Sequence, residues 1–284
     1  MSKKRKKILV SVCVFVIGLA LYSSYYATKK HEKLQQATDA KRIEETSKIR
    51  QDAAAITQKD AAAKTQKDIA TKTLNQNSGK VVVIDPGHAS SSSLVKEKQA
   101  PGSSLMKVME PGGAQGIKTR TPEYVVNMEV AVKLEGLLKS KGYIVKMTKT
   151  QNSKMLGNIA RAEVGNSANA NLVIRIHADS NNDSSVNGAS MLVPAKTKNT
   201  AAIYEQSKKY GQIVFNSLIN GVLMNNRGVV ERSDMTGFNW SKVPVILVEM
   251  GFQSNDKEDK LLTTSSYQDK IAKGLADGID KALK

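Results

Sequence analysis

The chain has 284 residues, of which 40% are hydrophobic, and it carries a formal net charge of +17 at pH 7. This length leaves room for one sizeable domain with appended segments, and the hydrophobic share is sufficient for a packed core. The single cysteine, Cys13, excludes an intramolecular disulfide, so the fold has to be stable without covalent cross-links. The positive charge suits nucleic acid, anionic lipid or an anionic cell-wall polymer, and by itself it does not choose among them.

The first 27 residues have the layout of a membrane anchor. Five basic residues at positions 3–7 precede an uncharged run from Ile8 to Ala27, which is typical of a secretory signal or a single membrane span. No small-residue cleavage motif is evident, so we favour an uncleaved anchor over a removed signal, whose loss would make the protein secreted. Basic residues stay on the cytoplasmic side, which puts the rest of the chain outside the cytoplasm and disfavours nucleic acid as a partner.

Residues 28–79 form a separate segment by composition. They are rich in Lys, Gln, Ala and Thr, and their large apolar residues are too sparse for a sustained coiled-coil seam. We therefore predict a solvated stalk, partly helical and partly disordered, rather than a partner-binding coiled coil. The folded domain is predicted to cover residues 80–284.

From residue 80 onward, strand and helix patterns alternate along the chain. Strand patterns fall near residues 80–85, 143–148, 172–177, 189–194 and 244–249, with a further short one near 227–231. Helical patterns fall near residues 122–140, 155–169, 200–224 and 264–283. This alternation predicts an α/β fold, a single domain with a mostly parallel twisted sheet flanked by helices. Residues 89–120, with Ser, Pro and Gly clusters, are expected to form a long loop that lines part of a binding site.

Three of the predicted strands end in a side chain that is common in catalysis. The first strand leads into the turn sequence Asp85-Pro86-Gly87 and then His88, while two later strands end in His177 and Glu249. The carboxyl ends of parallel strands meet at one edge of the sheet, where open α/β folds bind their ligands. We therefore expect these three side chains to lie close together.

The helix that opens near residue 121 brings a carboxylate to its buried face. Thr121 is the expected N-cap, Pro122 the first helical residue, and Gly142 the end of the helix. Glu123 lies three and seven residues before Val126 and Val130 of the apolar stripe, so its carboxylate is buried and needs a partner. Two roles are open for Glu123: stabilisation of the helix N-terminus, or ligation of a metal.

The residues on these elements match the ligand set of a catalytic zinc ion. Two neutral imidazoles and one carboxylate bind such an ion and leave a fourth position for water. We therefore predict one Zn²⁺ held by His88, Glu123 and His177, with Glu249 as the general base and acid beside it. The alternative for Glu249 is a structural salt bridge to Arg161 or Arg175.

Four segments of the chain carry a family resemblance. In chain order they read VVVIDPGH, TPEYVVNMEVAVKLEGLLKSKGY, LVIRIHADS and VPVILVEMGFQSN. In order and spacing they resemble the zinc-dependent N-acetylmuramoyl-L-alanine amidases of the amidase-3 family, and the similarity extends over residues 80–284. The resemblance implies zinc ligation by His88, Glu123 and His177, a catalytic Glu249 and a site-supporting Arg161. Where this family commonly has S-I-H-x-N, the chain reads R-I-H-A-D.

The resemblance implies a peptidoglycan hydrolase that cleaves the amide between the lactyl group of N-acetylmuramic acid and L-alanine of the stem peptide. With the anchor, it predicts a single-pass membrane protein whose catalytic domain, residues 80–284, faces the cell wall. The expected partners are peptidoglycan and the membrane, without nucleic acid, and the need for a protein activator stays open. Two alternatives are another exported zinc peptidase or deacetylase, and a non-catalytic module that binds the cell wall.

Overall fold

The structure is a computed structural model of the chain. It describes residues 77–284 without interruption, together with residues 18, 21–35, 38, 41, 44, 47, 48, 51, 58 and 59. The chain divides into two compact units, Met1–Ile69 and Ala70–Lys284. The division falls inside the predicted stalk.

In the first unit, residues 21–35 form a helix whose side chains are all exposed. On this helix the rings of Tyr22 and Tyr26 lie against each other, with centroids 4.9 Å apart. Among the described residues, no helix combines the length and the apolar character that a membrane span requires. Most of the predicted anchor, residues 1–17, 19 and 20, lies outside the described residues, as do residues 60–76 of the stalk. Both assignments stay predictions.

Eight strands and six helices form the described part of the second unit. The strands are β1 (Val81–Pro86), β2 (Ser93–Lys98), β3 (Met106–Glu110), β4 (Ile144–Met147), β5 (Leu172–Asp179), β6 (Ala189–Pro194), β7 (Asn226–Arg232) and β8 (Val245–Phe252). The helices are α1 (Glu123–Ser140), α2 (Asn158–Ser167), α3 (Tyr204–Val222), α4 (Thr236–Asn239), α5 (Asp256–Leu262) and α6 (Ser265–Ala282).

Six strands pair into one sheet in the order β4–β1–β5–β8–β6–β7. Strands β4, β1, β5 and β8 run parallel, as the β-branched and apolar runs of β1, β5 and β8 favour. Strand β6 lies antiparallel to β8 and parallel to β7, so the last two strands are reversed. The predicted α/β fold with a mostly parallel sheet flanked by helices is confirmed. Strands β2 and β3 form a separate antiparallel pair.

The sheet separates two hydrophobic cores. The larger core contains Ile84 and Ile174 and packs against α1, α3 and α6, whereas the smaller one contains Val83 and Val173 on the opposite face. Successive strand residues alternate between these faces. Toward the carboxyl ends of β1, β5 and β8, the face of the smaller core becomes polar. The residues found there are Asp85, Arg175, His177 and Glu249. The candidate site thus begins where the smaller core ends.

The segment 89–120 differs from the sequence prediction because it contains a hairpin instead of an uninterrupted loop. Strands β2 and β3 pair with Lys96 opposite Val108 and Lys98 opposite Met106. Leu94 in β2 is 84% exposed, so no buried face imposes an alternation of apolar and polar residues that the sequence would reveal. Helices α4 and α5, of four and seven residues, are also absent from the prediction because they are too short for a periodic pattern.

Helix α1 starts later than the sequence predicts. Its first residue is Glu123, the N-cap is Pro122, and no side chain caps it. The expectation that Thr121 is the N-cap is therefore wrong, and the Thr121 carbonyl instead accepts a hydrogen bond from Gln253 Nε2 at 3.0 Å. The predicted end is confirmed, since Gly142 follows the C-cap with a φ of +89°, which glycine adopts without strain.

Candidate active site

His88 reaches the carboxyl edge of the sheet because strand β1 ends two residues before it. Its φ is +60°, in the left-handed region, where a residue other than glycine carries about 1–3 kcal/mol of strain. Gly87 does not have a positive φ. It has to be glycine for another reason: a Cβ at this position would overlap the His177 ring. The rings of His88 and His177 are 4.9 Å apart between centroids.

Glu123 lies between the two imidazoles. Its Oε2 is 3.3 Å from His88 Nε2, and its Oε1 is 3.1 Å from His177 Nδ1. The backbone N–H of Ala114 and the side-chain amide of Asn127 also donate to this carboxylate, at 2.8 and 3.0 Å. Although burial opposes ionisation, the hydrogen bond with His177 and the neighbouring imidazoles lower the pKa of Glu123 to about 2. Glu123 is therefore an ionised carboxylate inside the protein.

His177 is positioned by the pairing of β5 with β8, in which it lies opposite Glu249. Burial lowers the pKa of the His177 imidazole, which favours the neutral form that binds metals. Its Nε2 is buried and has no hydrogen-bond partner among the described residues. A buried polar atom without a partner costs free energy, and a bound ion is one way in which such an atom is satisfied.

The three residues together fit a zinc ion. His88, Glu123 and His177 each offer one ligand atom, and these atoms all lie within 4.8 Å of one another. Imidazole nitrogen and carboxylate oxygen are donors that zinc accepts, and the orphaned Nε2 of His177 is consistent with a metal centre. The structure thus brings together the residues that the sequence analysis singled out, while their role as ligands stays a prediction.

Glu110 is a site residue that the sequence analysis missed. It is 3% exposed, and its Oε1 lies 2.8 Å from His88 Nδ1, on the side of the ring away from Glu123. A carboxylate behind a ligating histidine fixes the orientation and the tautomer of the ring. The only signal in the sequence is an acidic residue directly before the turn Pro111-Gly112-Gly113, within a segment predicted to be a loop.

A buried cluster of charges supports His88 from behind. Asp85 pairs with Arg161 at 2.7 Å and with Arg175 at 2.8 Å. Arg161 Nη2 also donates to the carbonyl of His88 at 3.2 Å and lies 3.3 Å from Glu110 Oε2. Despite burial, the two guanidinium groups hold the pKa of Asp85 well below its usual range. Asp85 is therefore a buried anchor rather than a turn residue, and Arg161 has contacts that fit a site-supporting role.

Glu249 faces the same centre from strand β8. Its Oε2 is buried without a hydrogen-bond partner among the described residues. The alternative of a salt bridge from Glu249 to Arg161 or Arg175 is wrong, because among the described residues Arg161 forms ion pairs with Asp85 and Glu110, and Arg175 forms one with Asp85. Burial, reinforced by the negative charge of Glu123, raises the pKa of Glu249 well above its usual value. A carboxyl group of this kind is suited to taking up and returning a proton near neutral pH.

A cleft of about 430 Å³ opens onto these residues. His88, His177 and Glu249 line it, and the hairpin β2–β3 contributes Lys107 and Val108 to its wall. Part of the segment 89–120 thus lines the cleft, while its role in binding stays a prediction.

Comparison with known proteins identifies the family. A family profile described as N-acetylmuramoyl-L-alanine amidase matches residues 82–281. The chain belongs to this family. As an N-acetylmuramoyl-L-alanine amidase it is a peptidoglycan hydrolase, and the matched range contains all four candidate site residues.

Individual amidases resemble the chain over most of the second unit. N-acetylmuramoyl-L-alanine amidase Rv3717 of Mycobacterium tuberculosis is 27% identical over 210 residues, which cover 71% of this chain and 86% of that protein. The catalytic domain of the amidase CwlV from Bacillus (Paenibacillus) polymyxa var. colistinus has a TM-score of 0.59 at 27% identity, covering 72% of this chain and 98% of that domain. The CwlD amidase of Clostridioides difficile, solved in complex with the GerS lipoprotein, has the same TM-score, identity and coverage.

Proposed function

We propose that this amidase cleaves the amide between the lactyl group of N-acetylmuramic acid and L-alanine with one zinc ion bound by His88, Glu123 and His177. The observation that carries the proposal is the convergence of their ligand atoms within 4.8 Å at the edge of an amidase-family sheet. When bound, zinc supplies polarisation of the scissile carbonyl and a lowered pKa for a water molecule.

Glu249 is the proton-transfer residue in this proposal. In the described part of the chain its buried Oε2 has no hydrogen-bond partner, and its raised pKa allows the carboxylate to accept a proton from the attacking water. As the carbon–nitrogen bond breaks, the same group returns the proton to the nitrogen of L-alanine, which leaves as an amine. Glu110 and Arg161 hold His88 in place through its ring and its backbone.

Two variants test the proposed roles. Glu249→Gln is expected to keep about one zinc ion per chain and to hydrolyse its substrate about 10²–10⁴-fold more slowly. His177→Ala is expected to lose both the zinc ion and the hydrolysis. The exposed Glu163 offers a matched control, since Glu163→Gln removes the same charge outside the cleft. Zinc content is measured on purified protein, and hydrolysis is measured on purified peptidoglycan.

Product analysis separates the amidase from other hydrolases. The amidase frees the amino group of L-alanine and the lactyl carboxyl group and forms no new reducing sugar. Hydrolysis by Glu249→Gln at the wild-type rate would refute the role of Glu249. Release of a different amino group would instead identify a peptidase or a deacetylase.

The location of the enzyme is a separate proposal. We infer that residues 1–27 anchor the chain in the membrane, that residues 28–79 act as a stalk, and that residues 80–284 face the cell wall. The support is the basic cluster before an uncharged run, together with a substrate that lies outside the cytoplasm. In cell fractionation the full chain is expected with the membrane, with residues 80–284 open to protease in spheroplasts. Recovery of a shortened chain from the medium would mean that the segment is a cleaved signal.

A membrane-linked activator is a further proposal, based on the complex of CwlD with the GerS lipoprotein. We infer that a lipoprotein binds this amidase as well and raises its activity. The hydrolysis rate of the purified zinc-loaded chain is compared before and after addition of a detergent extract of cell membranes. An unchanged rate would argue against an activator.

A further inference from the structure

The cleft holds three cationic side chains that the proposed mechanism does not use: Lys107, Arg175 and Arg232. Two of them are engaged with Asp234. Arg232 donates to its carboxylate from Nε and Nη2 at 2.8 and 2.9 Å, and Lys107 Nζ donates to its carbonyl at 2.7 Å. Both lie at the rim, where their side chains are 42% and 39% exposed. Arg175 is the remaining cation, and it lies on the floor of the cleft.

Arg175 is adjacent to the candidate catalytic residues on the sheet. In the pairing of β5 with β8, His177 lies opposite Glu249, and Arg175 lies opposite Leu247. Residues two apart on a strand face the same side, at a spacing of roughly 7 Å. Arg175 therefore faces the cleft one such step away from His177.

The guanidinium group of Arg175 is held rigidly from behind. Its Nε donates to Asp85 Oδ2 and its Nη2 donates to Asn158 Oδ1, both at 2.8 Å. Gly237 makes room for the third nitrogen, because a Cβ at this position would overlap Nη1. Among the described residues Nη1 has no acceptor, although Arg175 is only 5% exposed. A guanidinium group fixed by two of its five N–H donors, with both N–H groups of Nη1 left over, is preorganised to bind an oxygen atom of a ligand.

The substrate carries its carboxylates on one side of the scissile bond. In the proposed reaction the sugar side consists of neutral N-acetylated sugars, whereas the stem peptide bears acidic groups. Its second residue, an isoglutamyl residue, continues the peptide through its side-chain carboxyl, so its α-carboxyl group is free or amidated. This group lies up to about 7 Å from the scissile nitrogen in an extended chain, because each residue spans about 3.3–3.6 Å. This reach is of the same order as the backbone step of roughly 7 Å from His177 to Arg175 along β5.

We propose that Nη1 of Arg175 binds the free α-carboxylate of the second stem-peptide residue, so that the enzyme prefers acidic over amidated stem peptides. The inference rests on the proposed function, since it places the peptide side of that substrate over Arg175. Arg175 is then a specificity residue, distinct from the residues that hold the metal or move the proton.

Two muramyl tripeptides test this subsite, identical except for a carboxylate or a carboxamide at the α-position of the second residue. The zinc-loaded full chain is expected to cleave the acid with a kcat/KM about 10- to 100-fold higher, as for loss of a charge-assisted hydrogen bond. For Arg175→Gln, the ratio of kcat/KM for the acid to kcat/KM for the amide is expected to be close to one, mainly because KM for the acid rises. Arg232→Gln, the matched control at the rim, is expected to keep the preference.

Zinc content and thermal unfolding are measured on each variant to exclude loss of the fold. Where Arg175→Gln is unstable, Arg175→Lys keeps a positive charge beside Asp85 without the Nη1 donor, and its ratio is also expected to fall toward one. Equal kcat/KM values of the wild type for both substrates would overturn the proposed subsite. An Arg175 variant whose kcat/KM falls by the same factor for both substrates would also overturn it. Failure of the zinc-loaded wild type to cleave either substrate overturns the proposed function itself.

Discussion

Several residues at the site adopt conformations or environments that normally reduce the stability of a protein. His88 has a left-handed backbone, and buried atoms of His177 and Glu249 have no partner in the described part of the chain. Each state is unfavourable for folding by itself. Their concentration at one edge of the sheet is the pattern expected where selection acts on binding and chemistry rather than on stability.

Glu110 is expected to control how tightly the metal is held. Glu110→Gln keeps the size of the side chain but weakens the hydrogen bond to His88 Nδ1, which measures 2.8 Å in the structure. Loss of such a partner typically costs about 10–100-fold in metal affinity. Zinc affinity is measured by competition with a chelator, with Glu163→Gln as the control. An affinity equal to that of the wild type would show that Glu110 does not orient the ring.

Lys149 is a buried cation. It is 1% exposed, and its Nζ hydrogen-bonds to no described residue. Burial, together with the positive charge of Arg161, lowers the pKa of Lys149 from 10.5 to about 8. The unfolded chain therefore binds more protons than the folded chain between pH 8 and 10.5, so the stability of the wild type rises across this range.

Replacement of Lys149 by methionine is expected to stabilise the protein. Removal of the buried charge should raise the free energy of unfolding at pH 7 by about 1–3 kcal/mol. The gain should be complete below pH 8 and should shrink toward pH 10.5, since the wild type recovers stability as Lys149 loses its proton. Urea unfolding of Lys149→Met at several pH values measures this, with the exposed Lys154→Met as the control. A loss of stability, or a gain independent of pH, would contradict the argument.

Among the secondary-structure elements, the hairpin β2–β3 is anchored to a helix that bears part of the site. Helix α2 has Gly157 as its N-cap and therefore lacks a capping side chain of its own. Glu97 from the hairpin takes this role, because its carboxylate accepts hydrogen bonds from the backbone N–H groups of Asn158 and Ile159 at 2.8 and 3.1 Å. The hairpin is also bound to a second element, because Trp240, which directly follows α4, donates from Nε1 to the Lys98 carbonyl at 3.0 Å.

Glu97→Ala is expected to loosen this attachment. Loss of an N-cap typically costs about 0.5–2 kcal/mol, and the negative charge near a helix N-terminus is lost as well. Hydrogen exchange should show lower protection of the Asn158 and Ile159 amides, whereas Lys96→Ala on the exposed side of the hairpin should leave them unchanged. Unchanged protection in Glu97→Ala would mean that the hairpin is held by other contacts.

For the whole molecule, the second unit contains the sheet, both cores and every candidate site residue. We expect a chain of residues 70–284 to fold, to bind zinc and to cleave soluble muropeptides within about twofold of the full chain, because a domain with its own core folds independently. Thermal unfolding, zinc content and kcat/KM are the measurements. The same chain should lose its association with the membrane fraction. Failure of residues 70–284 to fold would show that the first unit contributes to the core.

The sequence by itself determined the features that depend on local order along the chain. Runs of β-branched residues predicted the strands that end near His88, His177 and Glu249, and helical spacing put Glu123 on a buried face. These patterns are recognisable without the fold because alternation and helical periodicity are properties of neighbouring residues. The order of four motifs likewise indicated the amidase family.

Only the tertiary structure decided which distant side chains meet. It brought Glu110, from an exposed hairpin without periodicity, behind His88, and it paired Asp85 with Arg161 and Arg175 rather than leaving it in a turn. It also reversed strands β6 and β7 relative to the other four. Contacts of this kind depend on how whole elements pack, since the partners are separated by many residues and no local pattern links them.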